Sequence, residues 1–193
     1  GDVYKRQDTD LEKRIVRDFS QLKSLVDLLK KEGHRIVLTQ GVWDLIHEGH
    51  AKFLEKAKSH GDVLIVGVDS DELTRQRKGP KRPIVPEDER LNMISHLRSV
   101  DLITVRECHH DIGDLIRMVE PDVLVVSKTT KDFTTKLKQE YSPVCGDIVD
   151  LAPQAATHTS ERIRQLTIDG AEELAKEVKE LADQFINKIK SEK

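Results

Sequence analysis

Short apolar segments alternate along the chain with segments in which apolar residues recur at helical spacing. Residues 62–68, DVLIVGV, are too few for a buried helix and are typical of a strand that is covered on both faces. Leu22, Leu25, Val26 and Leu29 instead lie on one face of a helix. The pattern predicts strands at 35–39, 62–68, 102–105, 123–126 and 148–151, and helices at 20–32, 48–60, from about 86 onward, 111–120 and 171–190.

Capping residues and helix breakers set the predicted helix boundaries. Ser20 is predicted to cap the first helix, which ends at Gly33. Asp111 is predicted to cap a later helix, which Pro121 stops. Residues 75–82 lack apolar periodicity and are predicted to form a loop.

Repeated strand–helix alternation predicts an α/β fold: a Rossmann-like, doubly wound parallel sheet with helical additions at both termini. Ligands of such sheets bind beyond the carboxyl ends of the strands, where the strand order reverses. The predicted organisation is a disordered tail at 1–13, one domain at 14–168 and an amphipathic C-terminal helix at 169–193. That helix would pack on the domain or on a second copy in a homodimer.

Composition fits one domain of ordinary size. Of 193 residues, 37% are hydrophobic and 35% are charged, which allows a core and gives a well-solvated surface. A net charge of −3 gives no general attraction to nucleic acid or to an anionic membrane. No apolar run approaches the length of a membrane span or a signal-peptide core, so we expect a cytoplasmic location with no nucleic-acid or membrane partner.

Residues 39–50, TQGVWDLIHEGH, carry the strongest chemical signal. They join an apolar strand to a helix through a loop that contains Gly41, so backbone N–H groups and the positive end of the helix dipole point at one place. His47 and His50 add two imidazoles there. Together these groups predict a phosphate-binding loop.

The two histidines also admit two other interpretations. They could bind zinc with Asp44 or Glu48 as a third ligand, although zinc hydrolases of the helical type space their two histidines four residues apart rather than three. They could also form a purely structural pair.

A second cluster follows the apolar run at 62–68. Five of the eight residues from 75 to 82 are basic, and Gly79 and Pro83 restrict the segment. Such a run is often only a solvated surface. Because it leaves a strand beside the phosphate loop, Lys78 can reach the same ligand, and phosphoryl or nucleotidyl transfer needs positive charge around the reacting phosphorus.

The sequence HEGH at 47–50 resembles the His-x-Gly-His signature of the cytidylyltransferase-like nucleotidyltransferases. The segment KGPKRPIVPEDER at 78–90 is similar to a segment of the adenylyltransferase domains of ADP-heptose synthases, in which a Lys-Gly pair, an Arg-Pro pair and a final Arg follow in that order. Glycerol-3-phosphate cytidylyltransferases and archaeal-type FAD synthetases share the core at lower similarity. The resemblance covers about residues 14–166 and implies the nucleotidyltransferase α/β phosphodiesterase variant of the predicted fold.

The resemblance also implies roles for individual residues. Asp44 would face the acceptor substrate, and Arg90 would contact a phosphate or the base-proximal side of the nucleotide. The implied catalytic residues, which stabilise charge on the triphosphate, are His47, His50, Lys52 and Lys78. The implied nucleotide-binding residues are Thr39, Gln40, Gly41, Trp43, Gly49, Arg90, Thr159 and Ser160.

Two departures from the family pattern bear on turnover. Residues 157–164, THTSERIR, resemble the hydroxyl-rich start of the family's last core helix, although hydroxyls before a helix are also ordinary N-caps. Glu161 stands where the family usually has another hydroxyl, and residues 127–133, SKTTKDF, lack the glycines of the ADP-heptose relatives. Both departures favour an alternative in which the chain binds nucleotide without turnover.

The implied activity is Mg²⁺-dependent nucleotidyl transfer of the EC 2.7.7 class, in which an acceptor oxygen attacks the α-phosphorus of ATP or CTP and pyrophosphate leaves. Transfer of AMP to a small phosphorylated substrate, a sugar phosphate, is the first expectation, because residues 78–90 resemble the heptose relatives. The alternatives are a CTP-dependent polyol-phosphate cytidylyltransferase and a catalytically silent nucleotide-binding module.

Overall fold

The computed structural model describes residues 11–128, 133–154, 164 and 166–180, and in these residues five parallel strands form one sheet. The strands are β1 Ile36–Gly41, β2 Val63–Asp69, β3 Leu102–Arg106, β4 Val123–Ser127 and β5 Asp147–Leu151. Their spatial order is β3-β2-β1-β4-β5. All five lie at or within two residues of the predicted positions, so the predicted parallel α/β sheet is confirmed.

Helices connect successive strands. Between residues 11 and 154 the described helices are α1 Phe19–Lys31, α2 Glu48–Lys58, α3 Asp71–Lys78, α4 Glu87–Ser95, α5 Asp114–Val119 and α6 Thr135–Tyr141. A short 3₁₀ turn, Leu11–Arg14, precedes α1.

Apolar side chains pack on both faces of the sheet. Alternate residues of β1 point to opposite sides, with Ile36 and Leu38 in one core cluster and Val37 in the other. Helices α1 and α5 supply Leu22, Val26, Leu115, Ile116 and Val119 to the first cluster, and α2 and α4 supply Leu54, Ala57, Leu91 and Ile94 to the second. The sheet is therefore doubly wound, as predicted.

β1 and β4 separate towards their carboxyl ends. β1 pairs with β2 along its whole length but with β4 only at Val37 and Leu38. The strand order reverses here, because the chain runs outward from β1 to β3 and then crosses to β4 on the other side. Ligands of open parallel sheets bind at such a reversal point. Thr39, Gln40 and Gly41 end β1 beside it.

Two predicted helix starts are wrong. α1 begins one residue before Ser20 and is capped by Asp18, whose Oδ1 accepts a backbone N–H of the first turn at 2.7 Å. α5 begins at Asp114 rather than at Asp111, whose side chain accepts the N–H of Gly113 at 2.5 Å in the turn before the helix. The N-cap of α5 is Gly113, which offers no side chain to cap the helix.

Helix α3 lies where a loop was predicted. The hydroxyl of Ser70 accepts the N–H of Leu73 at 3.1 Å and caps the helix, and Gly79 ends it with a φ of 94°. Acidic residues in its first turn and basic residues in its last turn complement the helix dipole. These terminal signals form a helix despite its weak apolar pattern. Helix α6 was also not predicted.

The chain divides into two compact units, Gly1–Ala156 and Thr157–Lys193. In the second unit, residues 166–180 are helical and overlap the helix predicted at 171–190. Leu174 and Val178, which belong to the predicted apolar stripe, are exposed. The predicted limits of the N-terminal tail and of the C-terminal helix stay predictions. Within the described ranges, no helix combines the length and the apolar character that crossing a bilayer requires.

Candidate active site

Helix α2 begins at the histidine pair of the signature. His47 is the N-cap, and its Nδ1 accepts the backbone N–H of Gly49 at 3.0 Å. The Nδ1 of His50 accepts the backbone N–H of His47 at 3.4 Å. A neutral imidazole that accepts at Nδ1 carries its proton on Nε2. The hydrogen bonds therefore set both rings as Nε2–H donors.

Trp43 supports the histidine pair from the protein interior. The ring centroids of His47 and His50 are 4.1 Å apart, and Trp43 meets His50 edge-on at 5.7 Å. Trp43 is only 7% exposed and donates its indole N–H to the carbonyl of Gly67 at 3.1 Å. Because β2 anchors the indole in this way, the ring of His50 packs against a fixed surface. The predicted nucleotide contact of Trp43 stays a prediction.

Two non-glycine residues of the loop have left-handed backbone conformations. Trp43 has a φ of 58° and Leu45 a φ of 46°, on either side of Asp44. Such conformations cost about 1–3 kcal/mol each and persist only where surrounding contacts impose them. Gly41, the glycine expected to form the turn, is instead the last residue of β1. The strained stretch thus lies directly before the histidine pair.

Asp44 joins the signature loop, residues 39–50, to the basic segment, residues 75–85. Its carboxylate is 2% exposed, and it accepts the N–H of Ile84 and the N–H of Val85, each at 2.9 Å. The Nε of Arg82 lies 3.0 Å from the same carboxylate. Residues 82–85 therefore rest against the loop that precedes α2, although the sequence places them about 40 residues apart. The predicted contact of Asp44 with the acceptor stays a prediction.

Arg90 is buried between the same two segments, with an exposure of 1%. Its guanidinium donates at 2.5–3.0 Å to the carbonyls of Val42, Asp69 and Val85 and to the carboxylate of Asp71. A guanidinium suits this position because its donors lie in a fixed plane. Arg90 thus connects the signature loop, the end of β2, the start of α3 and the basic segment. Its predicted nucleotide contact stays a prediction.

Asp69, the last residue of β2, carries a buried carboxylate that the sequence pattern did not predict. Its side chain is 0% exposed, and it accepts from Arg77 at 2.5 Å and from the Nε of Arg106 at 3.0 Å. Arg106 ends β3 and is 2% exposed. A charged residue that directly ends an apolar strand, as in VGVD and ITVR, is the signal that could have identified both.

The end of β1 contacts the loop that follows β3. Thr39 is buried within the sheet, and Gln40 donates its side-chain amide to the carbonyl of Ile112 at 2.9 Å. His110 of that loop stacks on Phe19 with a centroid distance of 4.4 Å, and burial lowers the pKa of its imidazole. These contacts hold the loop beside Gln40.

The two lysines among the predicted catalytic residues lie on different helices. Lys52, in α2, is about half exposed and forms an ion pair with Glu48 one turn earlier. Lys78 is the exposed last residue of α3, directly before the turn at Gly79. Long lysine side chains at exposed positions can turn towards a polyanion. Gly49, predicted to bind nucleotide through its backbone, is buried in the first turn of α2.

Part of the predicted site lies outside the described residues, namely Thr159, Ser160, Glu161 and residues 129–132. The zinc alternative required Asp44 or Glu48 as a third ligand, and both carboxylates are held by the contacts given above. In the described part of the chain, no three His, Cys, Asp or Glu side chains form a group that could hold a metal ion.

A model of the cytidylyltransferase-like family matches residues 38–166, from β1 through the signature loop and the basic segment to beyond β5. The chain belongs to the cytidylyltransferase-like family. This membership confirms the resemblance that the signature suggested.

Curated relatives from this family are named Bifunctional protein HldE. The relative from Desulfatibacillum aliphaticivorans is 39% identical over 150 residues, which cover 78% of this chain and 30% of that protein. The relative from Helicobacter acinonychis is 44% identical over 104 residues, which cover 54% of this chain and 22% of that protein. These matches confirm the predicted similarity to the adenylyltransferase domain of ADP-heptose synthases. The chain spans less than a third of the length of either relative.

Solved structures share the fold. The lipopolysaccharide core biosynthesis protein from Thermoplasma volcanium is 29% identical, with a TM-score of 0.54 over 63% of this chain and 98% of that chain. The pantoate-beta-alanine ligase from Francisella tularensis is 16% identical, with a TM-score of 0.55 over 76% of this chain and 68% of that chain. The second similarity shows only a common Rossmann-like architecture.

Proposed function

We propose that this domain is a nucleotidyltransferase that transfers AMP from ATP to a small sugar phosphate and releases pyrophosphate. An oxygen of the acceptor phosphate attacks the α-phosphorus, and the bond from that phosphorus to the bridging oxygen breaks. The electron pair leaves with pyrophosphate, so negative charge grows on the leaving group and on the α-phosphoryl oxygens. A site for this reaction needs positioned donors and positive charge more than it needs a nucleophilic side chain.

The observation that carries this proposal is the pair of Nε2–H donors, His47 and His50, at the N-terminus of α2. In the nucleotide complex each Nε2–H donates to a phosphate oxygen, and the helix N-terminus adds partial positive charge. Because backbone N–H groups already hold both Nδ1 atoms, the rings keep their tautomer and orientation as the transition state forms.

Cations and backbone groups complete the proposed nucleotide site. Lys52 and Lys78 turn from solvent towards the phosphates and neutralise their charge. The carboxyl end of β1, with Thr39, Gln40 and Gly41, lines the crevice beside β4 in which the nucleoside lies. Thr159 and Ser160 lie outside the described residues, and their contact with the nucleotide stays a prediction.

Asp44 and Arg90 act in this proposal through the segments that they hold. The Asp44 carboxylate fixes residues 82–85, so a change there would move the basic segment relative to the histidines. Arg90 fixes the loop at Val42 and the start of α3. Both side chains stay buried and affect the position of the acceptor only through the segments that they hold.

Mg²⁺ enters the proposal bound to the triphosphate. Mg²⁺ keeps several waters and uses substrate phosphates as ligands, so it needs few protein side chains. When bound, the ion would add positive charge beside the triphosphate.

The choice of nucleotide and acceptor rests on the similarity to ADP-heptose synthases, which includes residues 78–90 and favours ATP and a heptose phosphate. The test is pyrophosphate release from ATP and from CTP across a panel of sugar, polyol and vitamin phosphates. We expect release with ATP and a sugar phosphate. Release with CTP and a polyol phosphate would overturn the substrate assignment, and nucleotide binding without release for any acceptor would favour the silent module.

Lys78 and Lys81 form a matched pair of exposed lysines in the basic segment. We expect Lys78→Ala to lower kcat/KM roughly 100-fold, because a cation that meets the triphosphate stabilises the transition state. Lys81→Ala should lower it less than about fivefold, since an exposed charge contributes little. Steady-state kinetics give kcat/KM for each variant, and melting temperatures show whether each variant is folded. Equal small losses at both positions would mean that the segment is only a solvated surface.

A further inference from the structure

The second half of α3 has no apolar anchor of its own. Of its eight residues only Leu73 and Thr74 are buried, and both lie in the first half. The second half, Arg75 to Lys78, is entirely polar. Helices as short as this are marginal alone, so their position depends on tertiary contacts. Gly79 follows with a left-handed φ of 94° and contributes no side chain.

The carboxylate of Asp69 supplies the missing contact. It is fully buried at the end of β2 and accepts from Arg77 at 2.5 Å. Arg106, on the neighbouring strand, holds the other carboxylate oxygen from its own buried position. Because Arg106 fixes the carboxylate, the side chain of Asp69 cannot move out towards solvent. The ion pair therefore restrains the position of Arg77.

The start of α3 is tied to the same place. The guanidinium of Arg90 donates to the backbone carbonyl of Asp69 at 2.8 Å and to the carboxylate of Asp71 at 2.7 Å. Asp69 is thus linked to both ends of α3, to the start through Arg90 and to the end through its own carboxylate. Lys78 is the residue directly after Arg77.

We propose that Asp69 and Arg77 are positioning residues that set the end of α3 and thereby direct Lys78 to the triphosphate. This inference rests on the proposed function, because it gives the pair a role only if Lys78 meets the nucleotide. Arg77 acts through Lys78. Its ion pair with Asp69 fixes the end of α3 directly before the turn at Gly79.

A double-mutant cycle on the full chain tests this role. Arg77→Met keeps the length of the side chain and removes the ion pair, and Lys78→Ala removes the cation to be positioned. The matched control is Arg75→Met, in the same half of α3, where an exposed arginine pairs with Glu72 at 3.4 Å. The measured quantities are kcat, KM for ATP and the melting temperature of each variant.

We expect Arg77→Met to lower kcat/KM roughly 10- to 100-fold, as misplacement of a charged group by about an ångström does. In the Lys78→Ala background the same change should cost less than about twofold, since nothing is left to position. Arg75→Met should have the same kcat, KM for ATP and melting temperature as the unaltered protein.

Two results would overturn the positioning role while leaving the proposed function intact. One is the same loss from Arg77→Met in both backgrounds, which would mean that Arg77 acts independently of Lys78 or only through overall folding. The other is full activity of Arg77→Met when Lys78→Ala is impaired. Full activity of Lys78→Ala alone would overturn both the proposed cation and its positioning.

Discussion

Replacement of His47 by asparagine is expected to lower kcat/KM roughly 100-fold while leaving the fold stable. Asparagine is a good N-cap and its side-chain oxygen can accept the N–H that the Nδ1 of His47 accepts now. It has no group at the place of Nε2, so the variant keeps the cap and loses the donor. The loss of one transition-state donor corresponds to about 2.7 kcal/mol.

His50 is expected to differ from a surface histidine in its effect on activity. His50→Ala should also lose roughly 100-fold, because the ring donates through Nε2 to the same triphosphate. The control is His34→Ala, which removes an exposed histidine before β1 and should leave activity unchanged. Melting temperatures are measured beside pyrophosphate release. A fully active, folded His47→Asn would mean that the histidine pair is only structural.

Asp69→Asn is expected to destabilise the protein by about 3–5 kcal/mol. The substitution keeps the shape of the side chain but leaves Arg106, which is 2% exposed, without the charge that compensates it. Removing one partner of a buried ion pair costs this much because the other charge stays buried. Urea titrations of the variant and of the unaltered protein give the difference in the free energy of unfolding.

Asp88→Asn is the matched control for Asp69→Asn. It makes the same chemical change in an ion pair with Arg17, in which the two side chains are 90% and 49% exposed. An exposed pair contributes about 0–1 kcal/mol, so the control should have nearly the same free energy of unfolding as the unaltered protein. Similar small changes in both variants would show that the Asp69 carboxylate is not a buried anchor in solution.

The sheet could be predicted from sequence because its signals are local. Residues 62–68 are apolar at every position but the first, and such a run fits only a strand covered on both faces. The histidine pair was equally visible, since a strand, a glycine and a helix start surround it within twelve residues. Helix α3 was missed because its signals are at its termini, at Ser70 and Gly79, and not in an apolar stripe.

The parts of the site that could not be predicted depend on contacts between distant segments. Nothing local to Asp44 indicates that its carboxylate will accept the N–H groups of Ile84 and Val85. Those contacts accompany the left-handed backbone at Trp43, which no propensity would assign to a tryptophan. Arg90 likewise looks like a ligand-binding residue in sequence. Only the structure shows that it is buried and that its guanidinium donates to backbone carbonyls.

Attack at the α-phosphorus of ATP is the central step of the proposed reaction, and labelled ATP shows whether it occurs. The protein is incubated with a sugar phosphate and with ATP that carries a radiolabel on either the α- or the γ-phosphate. We predict that the α-label appears in the sugar product and the γ-label in pyrophosphate. Transfer of the γ-label to the sugar, or no transfer by folded protein that binds ATP, would rule out the proposed reaction.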